Sequence, residues 1–317
     1  MLRGIRSGLM LTALAAGFAV PVLAQEVPME GPVPTTALIN VQSKNPVQLD
    51  PRALSLQVNG HETPITSVTK AESGNLEIAI LIDEGLRGSF GLQLQEISQF
   101  VNGLPPNAKV LIGYMQNGTV RSTGHFTSDH QEIQKDIRIP MSVPGISASP
   151  YFCLSDFVKH WPSQQPAARF VLMMTNGVDP YNGRPSIMNE DSPYVQAAQD
   201  DAQRAGAAVY SIYFQDSGFR GGRGSLSGQT YLQQVGDATG GALLNYGPIP
   251  PVSIGPYLQQ FWQAVNSSYE LGFRAVANRN RNELTRIKVK SNQPGVKLRA
   301  PQAVRPGLAE EVVASTR

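Results

Sequence analysis

The polar residues best placed to do chemistry follow two apolar runs of the sequence. The first run, Leu76–Ile82, is followed directly by Asp83. The second run, Arg169–Thr175, is followed directly by Asn176. Apolar runs bounded by polar turns are typical of strands that are buried on both faces of a parallel sheet. Because ligands of such sheets bind where the strands end, we expect Asp83 at the functional edge of the molecule.

Further candidate residues follow predicted strands or begin predicted helices, so the same edge of the sheet should collect them. They are Glu84, Arg87, Ser149, Asp179, Arg220 and Arg223. Ser149 precedes Pro150, a pair typical of a helix N-cap and first turn. Two of the arginines lie in the glycine-rich stretch Gly218–Gly228, which we predict to be a loop. Loops at such an edge commonly carry function, so we expect these side chains to contact a partner.

Patterns that would indicate catalysis or nucleotide binding are incomplete. Gly85, Gly88 and Gly91 form GxxGxxG, not the GxGxxG of dinucleotide-binding turns. The stretch GSLSG has Leu226 where a nucleophile elbow needs serine. The four histidines have no spacing typical of a zinc site; they are His61, His125, His130 and His160. The sequence therefore favours binding over catalysis, while an α/β enzyme with an unrecognised site at this edge stays open.

The elements that must position these residues alternate between strand and helix patterns through the middle of the chain. Alternation of this kind predicts an α/β fold with a doubly wound, mostly parallel sheet. Asn117-Gly118 between two strand patterns indicates a hairpin, so one edge strand should be antiparallel. The predicted strands are Leu76–Ile82, Ala108–Met115, Thr119–Phe126, Arg169–Thr175, Ala207–Phe214 and Ala242–Asn245. The predicted helices are Ser89–Val101, Asp129–Ile137, Pro150–Trp161, Ser192–Gly206, Tyr231–Thr239 and Val252–Ser267.

Short strand patterns flank this α/β region on both sides. They occupy residues 37–72 before it and residues 268–305 after it, which leaves 73–267 for the α/β domain. Since the two ends of a domain usually lie close together, we expect both flanks to pair into one small β-layer. Residues 25–36 are predicted to be a Pro-rich tether and residues 306–317 a tail.

The N-terminus predicts an exported protein. Residues 1–24 combine two arginines, an apolar stretch and small residues, as a secretory signal peptide cleaved after Ala24 does. A membrane anchor is the alternative, but the apolar stretch is short. Cleavage lowers Lys plus Arg from 26 to 24, equal to Asp plus Glu, so no nucleic-acid partner is expected. Cys153 is the only cysteine, which excludes an intramolecular disulfide.

Several stretches, taken in order, resemble a von Willebrand factor type A (VWA) domain, and in particular the secreted VWA-related proteins of bacteria. These stretches are ILIDEGLRGSF, SASPYFCLSDFV, VLMMTNGVDP, YLQQVGDATGGALLN and the pair YELGFR and RIKVK. The resemblance covers residues 37–300 and implies a Rossmann-like sheet with one antiparallel edge strand.

The resemblance also implies a position for a metal-ion-dependent adhesion site. Many members bind Mg²⁺ through a DxSxS turn, a threonine and a second aspartate. The matching positions here are Asp83, Gly85, Arg87, Ser149 and Asn176. Two hydroxyl ligands and one carboxylate are thus replaced, and a guanidinium stands nearby. The resemblance therefore implies a degenerate site, at which Asp83, Ser149 and Asn176 would hold any metal and Arg87 could instead pair with Asp83.

These observations predict a secreted or periplasmic, non-enzymatic module that binds a protein partner in adhesion or envelope assembly. We expect neither a metal nor another cofactor to be needed, and no membrane span after cleavage. The first alternative is a hydrolase or a nucleotide- or anion-binding enzyme at the same edge. The second is a structural envelope component that uses a basic face of the C-terminal strands, where nine Lys and Arg between Glu270 and Arg305 face two acids.

Overall fold

The computed structural model describes residues 31–43, 47–86, 88–141, 149–183, 191–215, 222–245, 247, 249–276 and 282–307. The predicted signal peptide lies outside the described residues, as do Arg87, Arg220, the side chain of Arg223 and most of the predicted tail. In the part of the chain that is described, no helix is long and apolar enough to cross a bilayer.

Fourteen strands lie in the described residues. They are β1 (Pro32–Gln42), β2 (Leu54–Val58), β3 (His61–Glu62), β4 (Ile65–Lys70), β5 (Leu76–Asp83), β6 (Ala108–Gln116), β7 (Thr119–Ser122), β8 (Ala168–Thr175), β9 (Ala207–Tyr213), β10 (Ala242–Asn245), β11 (Ser268–Val276), β12 (Thr285–Ser291), β13 (Lys297–Arg299) and β14 (Ala303–Val304). The described α-helices are α1 (Leu94–Asn102), α2 (His130–Asp136), α3 (Pro150–Lys159), α4 (Pro193–Arg204), α5 (Gly222–Thr239) and α6 (Gly255–Asn266).

The central sheet has six strands in the order β10-β9-β8-β5-β6-β7. All neighbours are parallel except β7, which pairs antiparallel with β6. Asn117 and Gly118 join these two strands with φ of 52° and 80°. A two-residue turn with positive φ at both positions matches the twist of a hairpin, which is why Asn-Gly predicted one here. The mostly parallel α/β fold expected from the sequence is therefore present.

Alternate residues of β5 belong to different apolar clusters. Ile78, Ile80 and Ile82 pack with residues of α1 and α6. Ala79 and Leu81 pack with residues of α3, α4 and α5. Because successive side chains of a strand point to opposite faces, burial on both sides explains the unbroken apolar run.

The flanks form two small sheets, not the single β-layer that we predicted. One has the order β13-β1-β11-β4 and the other β14-β12-β2-β3. Alternation gives each strand one apolar face, and these faces meet in a third apolar cluster that includes Ile39, Phe273, Leu56 and Ile287. Each sheet contains strands from both flanks, and the two sheets bury their apolar faces against each other.

Three boundaries differ most from those predicted. Strand β1 begins at Pro32, inside the predicted tether, because it pairs with β11 from its first residue. The region predicted as helix from Ser89 begins as a 3₁₀ turn, Gly88–Gln93, before α1. Helix α5 begins at Gly222, so it occupies seven of the eleven residues of the predicted loop Gly218–Gly228.

Candidate functional site

Asp83 lies at the carboxyl end of the central strand β5 and is 2% exposed. Its Oδ1 accepts a hydrogen bond from the backbone N–H of Gly85 at 2.8 Å. Its Oδ2 accepts one from the Thr175 hydroxyl at 2.6 Å. Charge-assisted hydrogen bonds of this kind are the stronger ones. The carboxylate therefore joins the turn after β5 to the end of β8.

Thr175 is a site residue that sequence reasoning missed. It is fully buried at the end of β8, where it donates to Asp83 and accepts from the N–H of Gly177 at 3.1 Å. In the sequence it reads only as the last residue of an apolar run. The available signal was its hydroxyl group, because a hydroxyl on a strand that is buried on both faces needs a hydrogen-bond partner.

Asn176 and Ser149 are brought to the same edge, and both accept hydrogen bonds from their own loops. The Oδ1 atom of Asn176 accepts from the N–H of Val178 at 2.9 Å. The Oγ atom of Ser149 accepts from the N–H of Tyr151 at 3.3 Å, which makes Ser149 the predicted N-cap of α3. Both residues therefore stabilise the local backbone.

Tyr151 is a second residue that the sequence did not single out. Its ring is fully buried, and its hydroxyl donates to the carbonyl of Gly177 at 2.7 Å. Burial raises the pKa of Tyr151 well above its usual range, and the negative charges of Asp179 and Asp83 add to the effect. The phenol therefore stays neutral and ties α3 to the turn after β8.

Asp179 lies in the loop after β8, and its side chain stabilises that loop by hydrogen bonds. Its Oδ1 accepts from the N–H of Tyr181 at 3.1 Å, and its Oδ2 accepts from the Ser192 hydroxyl at 2.7 Å. Ser192 also accepts from the N–H of Tyr194 at 3.2 Å as the N-cap of α4. Asp179 thereby connects the loop to the start of the next helix and is 4% exposed.

Glu84 is bound by another loop. Its carboxylate forms an ion pair with Arg138 and accepts from the N–H of Met141 at 2.6 Å. The guanidinium carbon of Arg138 lies 3.7 Å from the centre of the Tyr114 ring, a cation–π contact. Sequence reasoning missed Arg138 because 54 residues separate it from Glu84.

Large apolar side chains are exposed along this same edge. Val252 is 97% exposed and Leu92 is 81% exposed. Of the nine large exposed hydrophobic residues in the described chain, seven lie at this edge. Five of them follow the carboxyl ends of β5, β8, β9 and β10, and the other two lie in the loop whose backbone donates to Glu84. We call these seven the apolar rim: Leu92, Ile139, Met141, Tyr181, Leu226, Ile249 and Val252.

Contacts between loops bring several members of the apolar rim together. The Gln93 side chain donates to the carbonyl of Val252 at 3.2 Å, so the segments carrying Leu92 and Val252 are neighbours. A Cβ atom added to Gly91 would lie 3.3 Å from Cγ1 of Ile139. Contiguous exposed apolar surface is typical of interaction sites, whereas single exposed residues are ordinary.

Cys153 lies beneath the edge on α3 and is fully buried. Burial raises the pKa of its thiol to about 12, and the negative charge of Asp83 adds to this. We expect the thiol to be unreactive toward Ellman's reagent at pH 8 in the folded protein and to react fully in guanidinium chloride. Labelling of the folded protein at the rate of free cysteine would contradict this burial.

The mostly parallel sheet, its one antiparallel edge strand and the aspartate at the end of the central strand β5 agree with the fold implied by the sequence resemblance. The α/β part of the chain thus has the architecture of a VWA-type domain. No protein-family model matches the sequence, and no curated protein matches it.

Solved structures similar to this chain include three bacterial proteins. An aerotolerance-related membrane protein of Bacteroides fragilis is 14% identical over 61% of this chain and 99% of its own, with a TM-score of 0.43. BatB of Bacteroides thetaiotaomicron is 15% identical over 60% and 97%, with a TM-score of 0.41. A von Willebrand factor type A protein of Catenulispora acidiphila is 11% identical over 87% and 74%, with a TM-score of 0.40.

Proposed function

We propose that this protein is a non-enzymatic binding module that recognises a protein partner at the carboxyl edge of its central sheet. The observation that carries the proposal is the apolar rim, because seven of nine large exposed hydrophobic side chains gather at one edge. Burying such side chains supplies about 1.5–3 kcal/mol each, which makes the edge adhesive toward a complementary surface. The polar candidates Asp83, Ser149, Asn176 and Asp179 would hold the loops that present the rim.

The proposal includes independence from metal. At the family's ligand positions, Gly85 has no side-chain oxygen, Asn176 is neutral and residue 87 is arginine. Mg²⁺ requires near-octahedral oxygen ligands and gains most from carboxylates. Asp83 is the one carboxylate in this set, and both of its oxygens already accept hydrogen bonds. These residues do not fit the family's metal site, and the edge would therefore bind its partner without an ion.

A binding role agrees better with the buried groups of this edge than catalysis does. Tyr151 and Cys153 are two ionisable groups near Asp83 that could act as acid or nucleophile, and burial raises the pKa of both. A general acid or base works best with a pKa near the operating pH and with access to substrate. Neither group meets these requirements.

We further propose export of the protein, and a doubly wound arrangement of the VWA-type sheet. Export is supported by the signal-peptide pattern of residues 1–24, and the arrangement by the apolar clusters on both faces of β5. The partner would then belong to the cell envelope or the medium.

Substitution of the rim tests the function. We expect Val252→Asp to lower recovery of a partner from envelope and medium extracts about tenfold, because losing one buried anchor costs about 1.4 kcal/mol or more. Val276→Asp is the matched control, since Val276 is 59% exposed on β11, outside the rim. Quantitative pull-down with each variant measures the difference. Equal recovery by both variants would place the partner elsewhere.

A further inference from the structure

A cavity of about 370 Å³ lies at the amino ends of the central parallel strands, at the end of the sheet opposite Asp83. Its wall combines the starts of β8 and β9 with residues of β1, β11 and β14, so the α/β part and both flanking sheets contribute to it. Volumes of about 300–1,000 Å³ are typical of small-molecule sites. The location between two layers makes the cavity a pre-formed site and not a surface groove.

Glu270 of β11 provides the one carboxylate of the cavity wall. It lies opposite Leu38 of β1 and Thr69 of β4, so these three side chains share one face of their sheet. Leu38 packs against the apolar cluster of the central sheet, which shows that this face is turned inward. Within the described residues, the carboxylate of Glu270 has neither a hydrogen bond nor an ion pair.

An unpaired carboxylate in such a position has an energetic consequence. Burial raises the pKa of Glu270, because the charged form loses hydration and gains no compensating contact. A ligand that brought a positive charge to this oxygen pair would recover that loss. The cavity therefore favours the binding of a cation next to Glu270.

Arg169, the other charged residue of the wall, is engaged elsewhere. Its guanidinium donates to the carbonyls of Ala205 at 3.1 Å and Ser163 at 3.2 Å, and lies 5.2 Å from the centre of the Trp161 ring. Most other wall residues are apolar, and they include Ala37, Leu38, Ala168, Ala207, Pro301 and Val304. The rest of the wall has five polar side chains, Thr36, Asn75, Gln165, Gln203 and Thr239. A largely apolar wall with one unpaired carboxylate is complementary to an ammonium group on an aliphatic chain.

We propose that this cavity binds a small amphipathic cation, a primary ammonium carried by a short aliphatic chain, with the ammonium paired to Glu270. The aliphatic chain lies against the apolar wall, and the ammonium supplies the hydrogen-bond donors that the carboxylate lacks. The site is independent of the partner-binding edge, since it lies at the other end of the strands.

Isothermal titration of the full chain with hexylammonium, hexanol and hexanoate tests the proposal. We expect one saturable site for hexylammonium, with an affinity at least tenfold above that for hexanol and no detectable binding of hexanoate. Glu270→Gln should lower the hexylammonium affinity at least tenfold. The matched control is Glu62→Gln, an exposed carboxylate on β3, which should leave it unchanged.

The melting temperature of Glu270→Gln distinguishes a loss of binding from a loss of folding. Since the folded pKa of Glu270 is raised, its ionisation destabilises the fold as pH rises through that pKa. Glu270→Gln should therefore match or exceed the wild-type melting temperature at pH 7, which shows that lost binding is not lost folding. Equal binding of hexylammonium and hexanol, or unchanged affinity in Glu270→Gln, would overturn the proposal. Binding of a lysine-containing pentapeptide in place of hexylammonium would overturn the assignment to a small molecule.

Discussion

Replacing Asp83 with alanine is expected to lower the free energy of unfolding by about 2–4 kcal/mol, since two donors lose their acceptor inside the protein. The donors are the Gly85 N–H and the Thr175 hydroxyl, and both approach a carboxylate that is 2% exposed. Urea denaturation followed by circular dichroism measures the loss. Thr175→Val keeps the shape of the side chain but leaves Asp83 Oδ2 without its donor and the Gly177 N–H without its acceptor, so it should destabilise the protein as well.

The wild type and Asp83→Ala together test the role of metal. A ligand that binds the native state raises its stability by RT ln(1 + [L]/Kd). Because we expect no Mg²⁺ to bind, 5 mM Mg²⁺ should leave the melting temperature of the wild type unchanged. A Mg²⁺-dependent increase in the wild type that is absent from Asp83→Ala would contradict the proposed independence from metal. The stability loss in Asp83→Ala would stand in either case, because it depends on hydrogen bonds alone.

Gly228→Ala is expected to destabilise the protein by about 1–3 kcal/mol, the usual cost of forcing an extra carbon into packed structure. A Cβ atom at Gly228 would lie 2.2 Å from the carbonyl oxygen of Asn176, so helix α5 would have to move away from the turn after β8. Alanine favours helices over glycine by about 1 kcal/mol, which offsets only part of that cost.

Gly88→Ala is the control for this substitution, because a Cβ atom at Gly88 meets no atom within 4 Å. It should leave the unfolding free energy within about 0.5 kcal/mol of the wild type, as surface changes usually do. The measurement is again urea denaturation of both variants. A Gly228→Ala protein as stable as the wild type would mean that α5 and the Asn176 turn are not in close contact.

The sequence predicted the elements of the sheet better than the connections between them. Periodicity alone located Leu76–Ile82, and Asn117-Gly118 alone located the hairpin, because both signals are local. The bond between Asp83 and Thr175 joins residues 92 positions apart. It depends on the parallel pairing of β5 with β8, which no local pattern encodes.

The roles of the predicted site residues were also beyond a reading of the sequence. Glu84 was grouped with Asp83 because the two are adjacent, yet it is bound by Arg138 from a different loop. Helix α5 was missed over its first turns because glycine disfavours helices. The close approach of Gly228 to the Asn176 turn explains why glycine stands there. The role of Glu84 and the start of helix α5 thus both depend on tertiary contacts.

The pairing of β1 with β11 determines when during its synthesis this protein can finish folding. The Asn40 and Ser268 side chains lie 3.5 Å apart although 228 residues separate them. The first strand of the described chain therefore waits for its partner until Ser268–Val276 has been made. Contacts over such sequence separations slow folding, because the chain between them must be closed into a loop before they form. During that interval β1 has an unpaired edge, and a chaperone or carrier that covered residues 32–42 would protect the nascent chain from aggregation.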